Sequence, residues 1–226
     1  MPADFNRKLS YYSANFRSAL SAGKTIEEMV ALKLKDRSFV AVLDVGTGSG
    51  LAMNQLNDAF PAEVASHKLI IYGNDIQKQG TIHKFKYKEG DILHQSFAFR
   101  FNIIFAHESL HYMPDKIAAI AKIYSLLKPG GEAYIHLRTD GMDILLGNQR
   151  ISFQDYLAQF CSNNDMIYVG KGAHTFTLRL RRDRKRPDEE LAYFFLDLDF
   201  QKEETEDTKN VTGKITSVYK YDPPKA

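Results

Sequence analysis

The sequence predicts an α/β fold: a doubly wound, mostly parallel sheet, with N-terminal helices ahead of it and an antiparallel C-terminal strand group behind it. Three observations carry that prediction. Short apolar runs rich in β-branched residues recur at Phe39–Val45, Lys68–Tyr72 and Phe101–Ala106, as strands buried on both faces require. Stretches with helical apolar spacing, Leu51–Phe60 and Lys116–Leu127, alternate with them, which predicts parallel strands joined by right-handed crossovers. The first run breaks into glycines where a helix opens.

Phe5, Leu9, Tyr12 and Phe16 repeat at three- and four-residue steps, giving a first helix that Ser21–Gly23 ends. Thr25 followed by Glu28 is a capping box for a second helix reaching about Lys35. A third strand is expected over Thr81–Ile92, where His83, Phe85 and Tyr87 alternate with lysines after a very short crossover. Lys128–Gly131 stops the helix before it and starts a fifth strand, Glu132–Leu137. Ser152 caps a helix through Phe160, and Met166–Val169, Phe176–Arg182 and Leu191–Phe200 are strand-like. With no helices between them, these strands must pair antiparallel. Arg181–Glu190 reads as a charged surface turn, Gln201–Asn210 as a charged loop, and Ile215–Tyr221 as a last edge strand.

The chain is 44% hydrophobic and 26% charged, the mix of an ordinary globular protein. Its net charge of +2 gives no reason to expect nucleic acid or an anionic membrane as partner. Cys161 is the single cysteine, which excludes an intrachain disulfide and any multi-cysteine metal site, and no metal is expected. No apolar run approaches the roughly 18 residues of a membrane span, and the N-terminus lacks a signal-peptide pattern, so a cytoplasmic address is expected.

The chemistry concentrates where Asp44 is followed by Gly46, Thr47, Gly48 and Gly50 at a strand end. Glycines there let a ligand reach the backbone, and a helix N-terminus offers unpaired N–H groups to an anion. The spacing differs from the dinucleotide fingerprint, whose third glycine would fall at position 51, where this chain has leucine. Asp75 directly follows the second strand, where a carboxylate can accept both hydroxyls of a ribose. Gly90, Asp91 and Ile92 end the third strand, and His107, Glu108, Leu110, His111, Tyr112 and Pro114 follow the fourth.

This order of segments resembles the class I, Rossmann-like S-adenosylmethionine-dependent methyltransferases. The resemblance implies that Asp44, Gly46, Thr47 and Gly48 hold the methionine part of the cofactor. It gives Asp75, with Ile76 beside it, the adenosine ribose. Asp91 is expected to meet the adenine amino group while Ile92 packs on the ring, and His107 to touch the cofactor. Leu126–Gly131 resembles the family's post-helix segment. A narrower similarity joins Tyr12–Arg17 and Phe105–Tyr112 to histamine N-methyltransferase and its small-molecule relatives. It implies that Tyr12 and Phe16 wall the cofactor cleft, that Glu108 touches cofactor and acceptor, and that His111 and Tyr112 line the acceptor pocket. Methionine and leucine stand at 142 and 146 where that enzyme presents tryptophans, and this chain has no tryptophan.

One domain over 1–226 is expected: a helical lid at 1–37, a cofactor-binding core at 38–146, and a C-terminal helix with antiparallel strands at 147–226. The sulfonium activates the methyl group, so alignment and exclusion of water matter more than many catalytic side chains. Glu108, His111 and Tyr112 are the catalytic candidates, for a small-molecule amine or hydroxyl acceptor. The alternatives are a methyltransferase acting on a protein, a non-catalytic cofactor-binding module, and a nicotinamide oxidoreductase; the last requires the other glycine spacing.

Overall fold

The computed structural model describes residues 24–77, 83–113, 116–138, 143–146, 149–152, 155, 167–170, 175–181, 199–203 and 218–222. The expected first helix, with Tyr12 and Phe16, and the charged turn at 182–190 lie outside the described residues.

Helix α1 (Ile26–Lys35) opens on the expected capping box, with the Thr25 hydroxyl accepting from the Glu28 N–H and the Glu28 carboxylate from the Thr25 N–H. Strand β1 (Val40–Val45), helices α2 (Leu51–Ala59) and α3 (Pro61–Ala65), and strand β2 (Leu69–Asp75) follow. Helix α2 matches the helix expected over Leu51–Phe60, and Pro61 at the first turn of α3 opens a second short helix that the sequence reading did not include. Strand β3 (Lys86–Glu89) is shorter than the predicted Thr81–Ile92, because Gly90 turns the chain with φ +121° and Asp91 caps a 3₁₀ turn at Ile92–His94. Strand β4 (Phe101–His107), a 3₁₀ turn at Leu110–Tyr112 and helix α4 (Lys116–Ser125) lead to β5 (Leu127–Arg138). Pairing of β5 begins at Leu127, ahead of the expected Glu132: Phe101 pairs with Leu127 and Ile103 with Glu132, so residues 128–131 bulge out of the strand.

Strands β6 (Asp143–Leu146), β7 (Gln149–Ser152), β8 (Ile167–Gly170), β9 (Thr175–Arg181), β10 (Asp199–Glu203) and β11 (Val218–Asp222) complete the order. The main sheet runs β3-β2-β1-β4-β5-β9-β8, its first five strands parallel and β9 antiparallel to both β5 and β8. A second sheet, β10-β11-β6-β7, is an addition to the expected architecture. In it β11 lies between β10 and β6, so the described part of the expected last strand, from Val218, is an interior strand rather than an edge. Residues 201–203 belong to β10 rather than to a loop. Ser152 ends β7 and also accepts from the Asp155 N–H at 3.0 Å, an N-cap contact, while the helix expected beyond it lies outside the described residues.

Alternating strand residues build two cores. On one face Ala41, Leu43, Val45, Ile104 and Ala106 pack against Ala119, Ile120 and Ile123 of α4. On the other, Val40, Val42, Ile71, Ile103, Phe105 and Tyr134 meet Ile26, Met29 and Val30 of α1 and Ala52, Met53 and Leu56 of α2. Each valine, leucine, isoleucine, phenylalanine or methionine among them contributes about 1.5–3 kcal/mol when fully buried. Beyond Gly90, the crossover from β3 to β4 has a 3₁₀ turn and aromatic rings in place of an α-helix. Tyr72, Phe97, Phe99 and Phe101 meet edge to face at 5.1–5.8 Å, with Lys88 4.9 Å over Phe97 and Lys86 5.7 Å over Tyr72.

Candidate active site

The strand order reverses between β1 and β4, and the loops leaving these two strands meet at that switch point. Leaving β1, the chain turns through Gly46 (φ +71°) and Gly48 (φ +57°), left-handed conformations that glycine adopts without steric cost. The N–H groups of Gly46 and Thr47 donate to the Asn74 carbonyl at 2.8 and 3.0 Å, and that of Gly48 to Asp75 Oδ2 at 2.7 Å. The loop is thereby tied to the end of β2.

Asn74 also binds in the other direction. Its buried side-chain amide donates to the carbonyls of Lys88 and Gly90 at 2.9 and 2.8 Å, and the Gly90 N–H donates to the Asp75 carbonyl at 2.8 Å. One residue therefore holds the loops after β1, β2 and β3 in register. The sequence places Asn74 beside Asp75, but nothing in its pattern distinguishes this buried staple from a turn residue.

The sequence-predicted residues divide by position. Asp75 is half-buried, its Oδ1 accepting from the Ile76 N–H, and the Ile76 side chain is 58% exposed beside it. Asp91 comes to the same edge through Gly90, with Oδ1 accepting from the Leu93 N–H at 2.9 Å. Ile92, expected on an adenine ring, is instead 1% exposed and belongs to the core beneath. Asp44 and His107 are likewise buried, at 0% and 2% exposure. Glu108 and Tyr112 lie at the opposite rim, after β4, and Tyr112 is 78% exposed. Of the three exposed large apolar or aromatic side chains among the described residues, Ile76 directly follows β2 and Tyr112 lies in the 3₁₀ turn that follows β4. The side chain of His111 lies outside the description, as do Tyr12 and Phe16.

Two further residues escaped the sequence reading. Ser109 packs against the glycine loop, and His136, near the end of β5, lies with Nε2 3.1 Å from Glu108 Oε1. The position of His136, two residues after Tyr134 at a strand end in a switch-point sheet, was the available signal.

Polar chemistry in the cleft is unspent. Thr47 Oγ1, Ser49 Oγ and Ser109 Oγ are buried and make no hydrogen bond. Helix α2 begins at Gly50 with no side-chain cap, leaving its first N–H groups without that partner. On β3, Tyr87 stacks on His83 at 4.8 Å, and its hydroxyl pKa is pushed up to about 12, first by burial and then by the charges of Asp75 and Glu89. Among the described residues no cluster of three metal-ligating side chains exists, and no helix is long and apolar enough to cross a membrane.

A protein-family model described as a methyltransferase domain matches residues 36–177. Phosphoethanolamine N-methyltransferase 2 of Caenorhabditis elegans is 29% identical over 124 residues, which cover 52% of this chain and 27% of that protein. Trans-aconitate 2-methyltransferase of Deinococcus radiodurans is 27% identical over 123 residues, 51% of this chain and 43% of that protein. The matched stretch thus spans less than half the length of either relative. The plantazolicin methyltransferase BpumL, solved with a pentazolic desmethylPZN analog and SAH, has a TM-score of 0.54 at 14% identity, covering 80% of this chain and 89% of that one. It shows the same fold.

Proposed function

From the premise that this chain belongs to the methyltransferase-domain family, of the class I type that draws its methyl group from S-adenosylmethionine, we propose that it methylates a small molecule at an amine or hydroxyl. The observation that carries this reading is the set of buried, unpartnered hydroxyls of Thr47, Ser49 and Ser109 around a glycine loop whose Gly48 N–H holds the Asp75 carboxylate. The residues fit the cofactor. The uncapped start of α2 and the three hydroxyls suit the amino-acid part, Asp75 the ribose, and Ile76 with Asp91 the adenine.

S-adenosylmethionine supplies, when bound, a methyl group already activated by its sulfonium. What remains for the chain is to bind, align and exclude water. Ser109 closes the glycine loop on the β4 side, while Glu108 stands where it can accept a proton from an acceptor. Tyr112, and His111 next to it in sequence, belong to the acceptor rim. The relatives named for phosphoethanolamine and trans-aconitate support a small-molecule acceptor.

Calorimetric titration of the purified protein with S-adenosylmethionine, with NADH as control titrant, tests the cofactor. Micromolar binding of the first alone is expected. Transfer of radiolabelled methyl to members of a panel of small amines and phenols then tests the acceptor class, and transfer only to protein would replace it.

A further inference from the structure

Glu108 leaves β4 with φ +54°, one of two non-glycine residues with positive φ among the described residues. Such a conformation is strained for an ordinary side chain, so its neighbours must enforce it. Had the strand continued in extended form, alternation would place the Glu108 side chain on the face of Ala106. Instead the left-handed turn brings it back to the face of Phe105 and Tyr134, where His136 stands. There Oε1 lies 3.1 Å from His136 Nε2, a distance at which the imidazole N–H donates to the carboxylate, and the Glu108 N–H donates to the His136 carbonyl at 3.1 Å. The imidazole is the buried partner, 9% exposed, and the carboxylate the outer one at 29%. One torsion, one backbone bond and one side-chain contact therefore fix a single carboxylate at the cleft.

We propose that His136 is a positioning residue that holds Glu108 as the receptor for the ammonium group of an amine acceptor. This rests on the methyltransferase reading of the cleft and narrows its acceptor class. The Glu108 carboxylate pairs with the incoming ammonium and takes one of its protons, which frees the nitrogen lone pair. That lone pair forms the new carbon–nitrogen bond as the methyl carbon separates from sulfur, which keeps the bonding electrons. The product leaves as a methylated ammonium, and the proton on Glu108 passes to solvent. A glutamate free to rotate would lose its rotamer freedom at each turnover; His136 removes that cost in advance.

The test uses sinefungin, an analogue of S-adenosylmethionine that carries a primary ammonium at the position of the transferable methyl, against S-adenosylhomocysteine, which lacks it. Calorimetry on the full chain reads the ratio of the two affinities without any acceptor. Wild type is expected to favour sinefungin, and Glu108→Gln and His136→Leu are each expected to cut that preference about tenfold, as loss of a charge-assisted contact does. The affinity for S-adenosylhomocysteine should stay within about twofold. His136→Gln, whose amide N–H still reaches the carboxylate, is expected to restore the preference. Where the leucine variant fails to fold, His136→Asn, too short to reach, takes its place. A preference unchanged by removing the imidazole, or lost equally in His136→Gln, overturns the proposal. Wild type that binds neither compound overturns the cofactor reading itself, a different failure from one confined to the preference.

Discussion

A Cβ placed on Gly46 would lie 2.1 Å from the Cβ of Ser109, so the glycine loop and the segment leaving β4 touch through a gap that admits no side chain. Gly46 is also left-handed, which adds backbone strain to the clash. Gly46→Ala is expected to weaken S-adenosylmethionine binding at least tenfold and to lower stability by about 1–3 kcal/mol. Ser109→Gly in the same chain should recover part of the stability loss by removing the clash and not the strain. Calorimetry and thermal melting of the two variants check this, and no recovery would mean that the strain alone matters.

Asp75 does two things at once, holding the Gly48 N–H and facing outward at the end of β2. Asp75→Ala removes a charge-assisted hydrogen bond of roughly 1.5–3 kcal/mol and the ribose partner together. Loss of measurable cofactor binding with a retained fold is expected, as also for Gly48→Val. Circular dichroism beside the titration separates the two properties, and retained affinity in both variants would contradict the assigned site.

Asn74 tests whether the three loops act as a unit. Asn74→Asp puts a carboxylate against the carbonyls of Lys88 and Gly90, so it should destabilise more than Asn74→Ala, by about 3 kcal/mol or more against about 1–3 for the alanine. Urea denaturation gives the order, and the reverse order would mean that the amide is dispensable.

Tyr87 predicts an alkaline effect. Its phenol holds its proton up to about pH 12 in the folded chain, whereas an unfolded tyrosine releases it near 10. The folded state binds more protons in that window, so this contribution is complete below about pH 10 and is lost as pH rises towards 12. Ultraviolet difference titration should show one of the 12 tyrosines ionising late. That step should be absent from Tyr87→Phe, and its persistence there would reassign it.

Much of this was legible in the sequence where local rules and tertiary demands agree. Apolar β-branched runs became β1, β2 and β4, and the Thr25–Glu28 box opened α1 where expected. Legibility failed where a long-range partner decides. Alternation at His83, Phe85 and Tyr87 suggested a long strand, but His83 and Phe85 turn aside to pack on Gly50 and Gly73, and only Lys86–Glu89 pairs with β2. The charged 201–203 segment became a strand because β11 pairs with it, a partner 15 to 19 residues away that charge patterning does not reveal. In the site, Asp75 and Glu108 announced themselves by position. Ser109, Asn74 and His136 did not, since their roles rest on contacts with chain 14 to 63 residues distant.

Glu108 and Ser109 are consecutive residues fastened to different walls, one to His136 and the next to Gly46. On the proposed function, the acceptor rim thus begins at the clamp on the donor's seat, with no slack between them. In kinetic language the expected outcome is ordered addition: the donor enters first, its occupancy firms the rim, and the acceptor finds its place only on the loaded protein, a sequence that product-inhibition patterns would reveal.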